Sequence, residues 1–407
     1  MNIGYLNTSK KCECYGCEAC AQVCPVRAIS MQFDEEKFLY PVVNNEVCIH
    51  CSKCNKVCPF ENKPKDFAED KYAFGGHIND DNILEKSTSG GAFSAIAMGW
   101  CDENYVIFGA TCDELKVYHS FIEDKNQLDK FRKSKYSQSN IGSSYIEVKN
   151  FLKQNKKVLF SGTPCQIAGL INFLGNVDKS NLLTIEVVCE GVPTPHYIER
   201  LNDYMVDKYK SKIISLDYRY KDMKKTSKKV VGKWDFQVMH IKLENGKILK
   251  KDRWFNPFWS IWLNHLMSRP SCYECAFAQK ARVADISLGD LWGVHLYCPD
   301  LYAKNKGASL IVCNTEKGKD AFEQAKQFLL GHELKFEDAL RYQSPMRIHI
   351  SYNEKREDFM SDVKSLDYKK LCKKWANKPS IKLLWQKYVW GNRQKMWLWN
   401  LTHKENK

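Results

Sequence analysis

A chain of 407 residues, 44% of them apolar, can build two or three domains with sizeable cores, and none of its apolar runs approaches the roughly 18 residues of a membrane span. The net charge of +14 bears on partners rather than fold: acidic proteins, phosphorylated cofactors, a membrane surface, nucleic acid, or simply abundant surface lysine. Eighteen cysteines behind a polar opening with no secretory segment point to metal or redox chemistry, not disulfides, and to a cytoplasmic protein in reducing surroundings.

Residues 1–62 form the first unit. They read Cys14-x2-Cys17-x2-Cys20-x3-Cys24-Pro25 and then Cys48-x2-Cys51-x2-Cys54-x3-Cys58-Pro59. This is the bacterial ferredoxin spacing, in which three close thiolates wrap one corner of a cubane and the fourth crosses to the neighbouring cluster. Cys14, Cys17, Cys20 and Cys58 are therefore assigned to one [4Fe-4S] cluster, and Cys48, Cys51, Cys54 and Cys24 to the other. The two prolines turn the chain away after each crossing ligand. Zinc more often takes two separated pairs than triplets at this spacing. Cys12 is out of register and reads as a spare thiol. A short strand is expected at Ala28–Met31, and Lys63-Pro64-Lys65-Asp66 reads as a linker.

Two stretches, 63–155 and 156–335, read as parts of one mixed α/β body. Tyr72–Gly76 is a strand candidate. Ser87-Thr88-Ser89-Gly90-Gly91 leads into an apolar helical run from Ala92, which is a helix start whose free amides also suit an anion. Strands follow at 105–111 and 117–122, with Asp113 and Glu114 between them. The loop Phe131–Ser139 interleaves Arg132, Lys133 and Lys135 with hydroxyls and Tyr136, which suits either a phosphorylated ligand or solvent. Lys157–Gly162, a helix over 166–174 and Leu182–Val188 make a β-α-β unit and imply a partly parallel sheet. Cys165 and Cys189 fall just past its strand ends, where ligands of such sheets bind. Asn245-Gly246 signals a hairpin. An aromatic helix is expected from Trp254 to Met267, a strand over 308–314, and an amphipathic helix from Glu316 to Leu330. Cys272-x2-Cys275 is half a metal site that Cys165 and Cys189 would complete; the alternative is four buried small hydrophobes.

The tail, 336–407, changes character. Five of the eleven tryptophans lie between Trp375 and Trp399 among Lys and Arg. Such a helical tail either packs its rings on the body or docks on a partner or a membrane surface. Basic residues among aromatics also suit single strands, but no nucleic-acid motif accompanies them, and no nucleic acid is expected.

Taken together, Ser89-Gly90-Gly91, Lys133-Ser-Lys135-Tyr136, Ser161-Gly162-Thr163-Pro164-Cys165-Gln166, Val188-Cys189-Glu-Gly-Val-Pro193, Ser271-Cys272-Tyr-Glu-Cys275 and Ile286–Gly293 resemble the beta subunit of coenzyme F420 hydrogenase/dehydrogenase, over roughly residues 10–330. The resemblance implies an FAD contacted by Ser89, Gly90, Gly91, Lys133, Lys135, Tyr136, Gly162, Thr163 and Pro164. It also implies a third [4Fe-4S] cluster on Cys165, Cys189, Cys272 and Cys275. Electrons would pass between the clusters, fed by a ferredoxin or a partner subunit, and an organic hydride acceptor or donor. That substrate is coenzyme F420 in the methanogenic members, and a sugar-linked or polyprenyl-linked intermediate is the other candidate, since proteins with fused ferredoxin units and basic tails resemble those of bacterial polysaccharide gene clusters. The other class of function is a non-catalytic electron-transfer subunit. Glu190 stands where many relatives are expected to have His, so the same acceptor is not implied.

Overall fold

The computed structural model describes residues 4–65, 67, 71–221, 238–251, 256–294, 298, 300–301, 307–390, 394 and 401. Its strands are β1 (Ile29–Phe33), β2 (Leu39–Val43), β3 (Tyr72–Ile78), β4 (Tyr105–Asp113), β5 (Lys116–Ile122), β6 (Lys157–Gly162), β7 (Leu182–Val187), β8 (Ile213–Tyr220), β9 (Val238–Leu243), β10 (Ile248–Lys251), β11 (Ile286–Asp290), β12 (Ser309–Cys313) and β13 (Leu329–Leu334). β1 and β2 form a hairpin in the N-terminal unit. The body is an eight-stranded sheet in the order β13-β3-β12-β11-β7-β6-β4-β5. Its centre is parallel, β11 with β7, β7 with β6 and β6 with β4, and its flanks are antiparallel. The fold is the mixed α/β body with a partly parallel sheet that the sequence implied.

Both faces of this sheet are covered, which is why its central strands carry apolar side chains on both faces. Side chains alternate between the two cores as the period of a strand requires. Ile107 and Leu159 face the helices Ala92–Trp100 and Glu316–Ala325. Val106, Phe108, Val158 and Phe160 face the helices Ser144–Lys153 and Pro164–Leu174. Tyr15, Cys17, Ala19 and Val57 of the N-terminal unit pack into that second core. The cysteine-rich unit is thus a wall of the body's core.

The connection from β7 to β11 carries a third core. The helices His196–Tyr209 and Pro257–Leu263 pack there with the antiparallel sheet β10-β9-β8. The β9–β10 turn is the expected Asn245-Gly246 hairpin, with Gly246 at φ +83°. The aromatic helix is shorter than expected. Asn256 caps it by accepting from Phe258 N at 3.1 Å, and the chain leaves it by His265, at φ +55°. Trp254 lies outside the described residues.

The helix expected over Glu316–Leu330 ends at Ala325. Leu329 and Leu330 instead open β13, which pairs with the free edge of β3. An unpaired sheet edge offers a whole ladder of backbone hydrogen bonds, and this outweighs a helical apolar pattern at its end. In the tail, the helices Arg356–Ser365 and Tyr368–Trp375 close the third core through Phe359, Met360, Val363 and Leu371. Trp375 packs on Phe359 and donates to Asp362 Oδ2 at 2.7 Å. The following helix Ile381–Tyr388 is different: Ile381 is 87% and Trp385 59% exposed. Trp397 and Trp399 lie outside the described residues. No helix among the described residues is long and apolar enough to cross a membrane.

Candidate redox site

The carboxyl ends of β6 and β7 define the site. Thr163 follows β6, and Gln166 Oε1 accepts from its N–H at 3.0 Å while Pro164 takes the first helical position. That start fixes Cys165 on the first turn, at the positive end of the helix. Cys189 follows β7 by two residues, and Gly191 bends the chain with φ +94°. Cys272 and Cys275 arrive on the short helix Pro270–Glu274 and the residue after it. All four sulfurs line one cavity of about 600 Å³ that opens partly to solvent. Thr163, Pro164 and Glu190 line it too, and the segment 345–350 closes one side.

Burial pushes the Cys165 thiol up to about 11 and the Cys272 thiol up to about 12, and it raises Cys189 and Cys275 as well. Each of the four also feels the charge of at least one of the others or is felt by it. Four buried thiols that would repel as thiolates suit a group whose positive irons displace their protons. Among the described residues, no three His, Cys, Asp or Glu side chains converge on a single metal ion. A cubane needs a wider ring, because each thiolate binds a different iron.

Cys14, Cys17 and Cys20 share a second cavity, of about 430 Å³, with Cys58 from the other run. Burial holds the Cys17 and Cys20 thiols well above their usual range. Gly16 N donates to Cys14 Sγ at 3.4 Å, and Ala28 N to Cys24 Sγ at 3.2 Å. Cys48 and Cys51 are the groups whose charge Cys54 feels, and Cys51 is exposed.

The two cavities share a wall. Tyr15 lines both. Its ring packs on Phe60 and Phe277, and burial with the nearby Cys275, Cys165 and Cys58 raises its hydroxyl. Gly169, in the helix that Cys165 begins, lies directly against Cys17. Arg269 lines the larger cavity and donates to Cys14 in the smaller one. Neither Tyr15 nor Arg269 was singled out from the sequence, although Arg269 stands only three residues before Cys272.

Residues 155–332 match the family model for the C terminus of the coenzyme F420 hydrogenase/dehydrogenase beta subunit, and residues 13–62 match that of the 4Fe-4S dicluster domain. The two matches fall on separate parts of the chain, and the second contains all eight ferredoxin-type cysteines. A solved structure of the xenon-derivatised F420-reducing [NiFe] hydrogenase complex from Methanosarcina barkeri is similar at 14% identity and a TM-score of 0.44, covering 75% of this chain and 91% of its own. No curated protein matches.

Most of the remaining predicted positions lie at the start of the helix Ala92–Trp100 and in the 131–139 loop. Gly90 packs tightly, since a Cβ there would lie 2.3 Å from Gly76 O, and Gly91 turns into the helix at φ +79°. Ser89 O accepts from Lys221 Nζ. Lys133 pairs with Asp217 at 2.5 Å, while Lys135 donates to Arg132 O at 2.9 Å. Tyr136 packs among Tyr218, Phe258, Trp259 and Trp262. Gly162 ends β6 opposite Glu186. Lys221, 1% exposed, is the residue that sequence reasoning missed here. Burial and the neighbouring Arg219 pull its ammonium down to about 7, and Asp290, Asp217 and Lys133 lie within reach of it. Among the described residues, Lys133 pairs with Asp217 and Arg219 with Asp290, beside Lys221.

Proposed function

We propose that the protein is an iron-sulfur flavoprotein oxidoreductase with three [4Fe-4S] clusters and one FAD. The observation that carries this reading is the convergence of Cys165, Cys189, Cys272 and Cys275 on one cavity separated by Tyr15 from the cavity of Cys14, Cys17, Cys20 and Cys58. Cys48, Cys51, Cys54 and Cys24 would hold the outermost cluster, where the exposure of Cys51 suits an external donor such as a ferredoxin or a partner subunit. A bound flavin supplies the junction between one-electron clusters and two-electron hydride transfer.

Ser89, Gly90, Gly91, Lys133 and Lys221 would hold the flavin phosphates, because Lys133 and Lys221, which donates to Ser89 O, bring cationic donors to this helix start. The close packing of Gly90 brings the first amides of the helix Ala92–Trp100 to that cluster of cations. Tyr136 and its aromatic neighbours exclude water from one side. The organic substrate is coenzyme F420 or a sugar-linked or polyprenyl-linked intermediate. The pairing of Lys133 with Asp217 favours a second reading, a relay subunit with no flavin that delivers electrons to a partner enzyme.

Anaerobic purification with iron, acid-labile sulfide and flavin measured together tests this. About twelve iron with one FAD is expected. About twelve iron without flavin transfers the weight to the relay subunit, and about eight iron without flavin sinks the third cluster as well.

A further inference from the structure

Arg269 is a buried cation with no carboxylate partner among the described residues. It is 0% exposed. Nε donates to Cys14 O at 2.8 Å, Nη1 to Gln138 Oε1 at 3.2 Å, and Nη2 to Leu39 O at 2.8 Å and to Cys14 Sγ at 3.5 Å. Its guanidinium lies 4.3 Å from the ring centroid of Tyr40. Among the described residues no carboxylate lies within ion-pair distance of it. Glu18, whose carboxylate feels Arg269, gives its oxygens to the amides of Ile141 and Gly142 at 2.7 and 3.1 Å. The contrast with Arg282, in the same cavity wall, is direct: that guanidinium forms a buried ion pair with Glu186.

The chain makes room for Arg269 at the wall between the two cavities. A Cβ on Gly16, which sits at φ +67°, would lie 2.7 Å from Arg269 Nη1. Arg269 lines the cavity of Cys165, Cys189, Cys272 and Cys275 while donating to a sulfur of the cavity of Cys14, Cys17, Cys20 and Cys58. A cubane held by four thiolates is a dianion when oxidised and a trianion when reduced. A desolvated cation between two such anions is compensated by both.

We propose that Arg269 is the shared counter-cation of these two clusters and sets their reduction potentials together. The inference rests on the reading of the second cysteine set as a cluster site. Each step is the gain of one electron by a cluster from a low-potential donor, with no bond made or broken and no proton moved. The fixed positive charge favours the more anionic, reduced form of either cluster. Repulsion between the two neighbouring anions makes an electron on one cluster disfavour an electron on the other. Electrons therefore cross the Tyr15–Arg269 wall singly and do not accumulate. Arg269 is a positioning residue, not a catalytic one.

The test is a potentiometric titration of the full-length protein, purified anaerobically and followed by EPR, with Arg269→Gln and Arg269→Lys beside the wild type. Arg269→Gln is expected to disfavour reduction of two of the three clusters by at least tenfold, about 59 mV for one electron, and to leave the third, that of Cys48, Cys51, Cys54 and Cys24, unmoved. Arg269→Lys, which keeps the charge and loses the fork, is expected to stay within about threefold of wild type. All three clusters unshifted in Arg269→Gln with iron retained, or an Arg269→Lys that matches Arg269→Gln, overturns the proposal. If neither variant holds iron, the fully reduced wild type decides. Two clusters on either side of one wall give mutually split signals, and independent, unsplit signals overturn it. About eight iron in the wild type would refute the third cluster itself, a different failure from unshifted potentials at about twelve.

Discussion

The contact between Gly169 and Cys17 makes a sharp prediction, because two known effects oppose each other there. Gly to Ala inside a helix ordinarily stabilises by about 1 kcal/mol. At this position the added methyl would sit 3.0 Å from both Cβ and Sγ of Cys17 and 3.2 Å from Tyr145 Oη. Tyr145 is anchored by donating to Gln166 O at 2.7 Å, so it yields little. Overpacking of this kind costs about 1–3 kcal/mol. Gly169→Ala is therefore expected to fall between neutral and about 2 kcal/mol destabilising, with the displaced atom being a proposed cluster ligand. Gly169→Val adds a branched side chain and loses part of the helical gain, which brings the cost to about 2–3 kcal/mol. Anaerobic urea unfolding measures the stability, and iron content with EPR of the reduced protein reports the cluster. The Val variant should lose about four iron or shift the signal of the cluster that Cys17 holds. A Val variant with the wild-type urea midpoint, full iron and an unchanged spectrum would refute the claim that this helix bears on the cluster ligand.

Cys14→Ser and Cys58→Ser should alter the same EPR signal, and Cys24→Ser the other N-terminal one; Cys58→Ser grouping with Cys48→Ser would disprove the crossing. Glu36 and Arg356 form a bidentate buried pair at 3.0 and 2.6 Å, so Glu36→Ala should cost about 3–5 kcal/mol in urea unfolding, and an apolar replacement of both residues should recover most of it. His119 stacks on Phe160 and bonds Ser161 O and Ser139 Oγ, and burial holds its imidazole down at about 4. The unfolded chain therefore binds a proton that the folded one refuses, so this histidine stabilises above about pH 6.5 and the contribution, roughly 3 kcal/mol, fades as pH falls toward 4. His119→Asn should flatten the pH dependence of the urea midpoint between those values. Truncation after Asn377 should leave iron and stability near wild type while abolishing any sedimentation with anionic vesicles or co-purification with a partner; unchanged association would assign the exposed tail helix no docking role.

Local patterns were legible where the chemistry is local. The cysteine spacing and the Asn245-Gly246 turn each act over a few residues; the turn stands where expected, and the helix expected over 166–174 starts two residues earlier, at Pro164. Cys165 and Cys189 were traceable to one crevice because a parallel β-α-β unit has few topologies. Strand β8, the helix His196–Tyr209 and the β13 edge were not anticipated, since pairing with distant strands decides them. The lysines show the limit most clearly. Nothing in the stretch around Lys133 reveals that Asp217 claims its ammonium, and nothing around Lys221 reveals that it turns inward to Ser89 O. Arg269 is of the same kind: its first acceptor, Cys14 O, is 255 residues away.

The cavity of Cys165, Cys189, Cys272 and Cys275 has walls drawn from residue 15, residue 138, both sides of the β7–β11 connection and the segment 345–350. The eight ferredoxin-type cysteines, by contrast, all lie between residues 14 and 58. Maturation is therefore ordered by the path of the chain. The N-terminal ligands leave the ribosome together and are competent to receive iron early, whereas the inner pocket exists only after nearly the whole polypeptide has been made and folded back. A cluster delivered there must arrive through the side that stays open to solvent, or before the 345–350 segment closes over it. On the proposed reading of this cavity as a cluster site, a late-synthesised segment thus works as a latch over it.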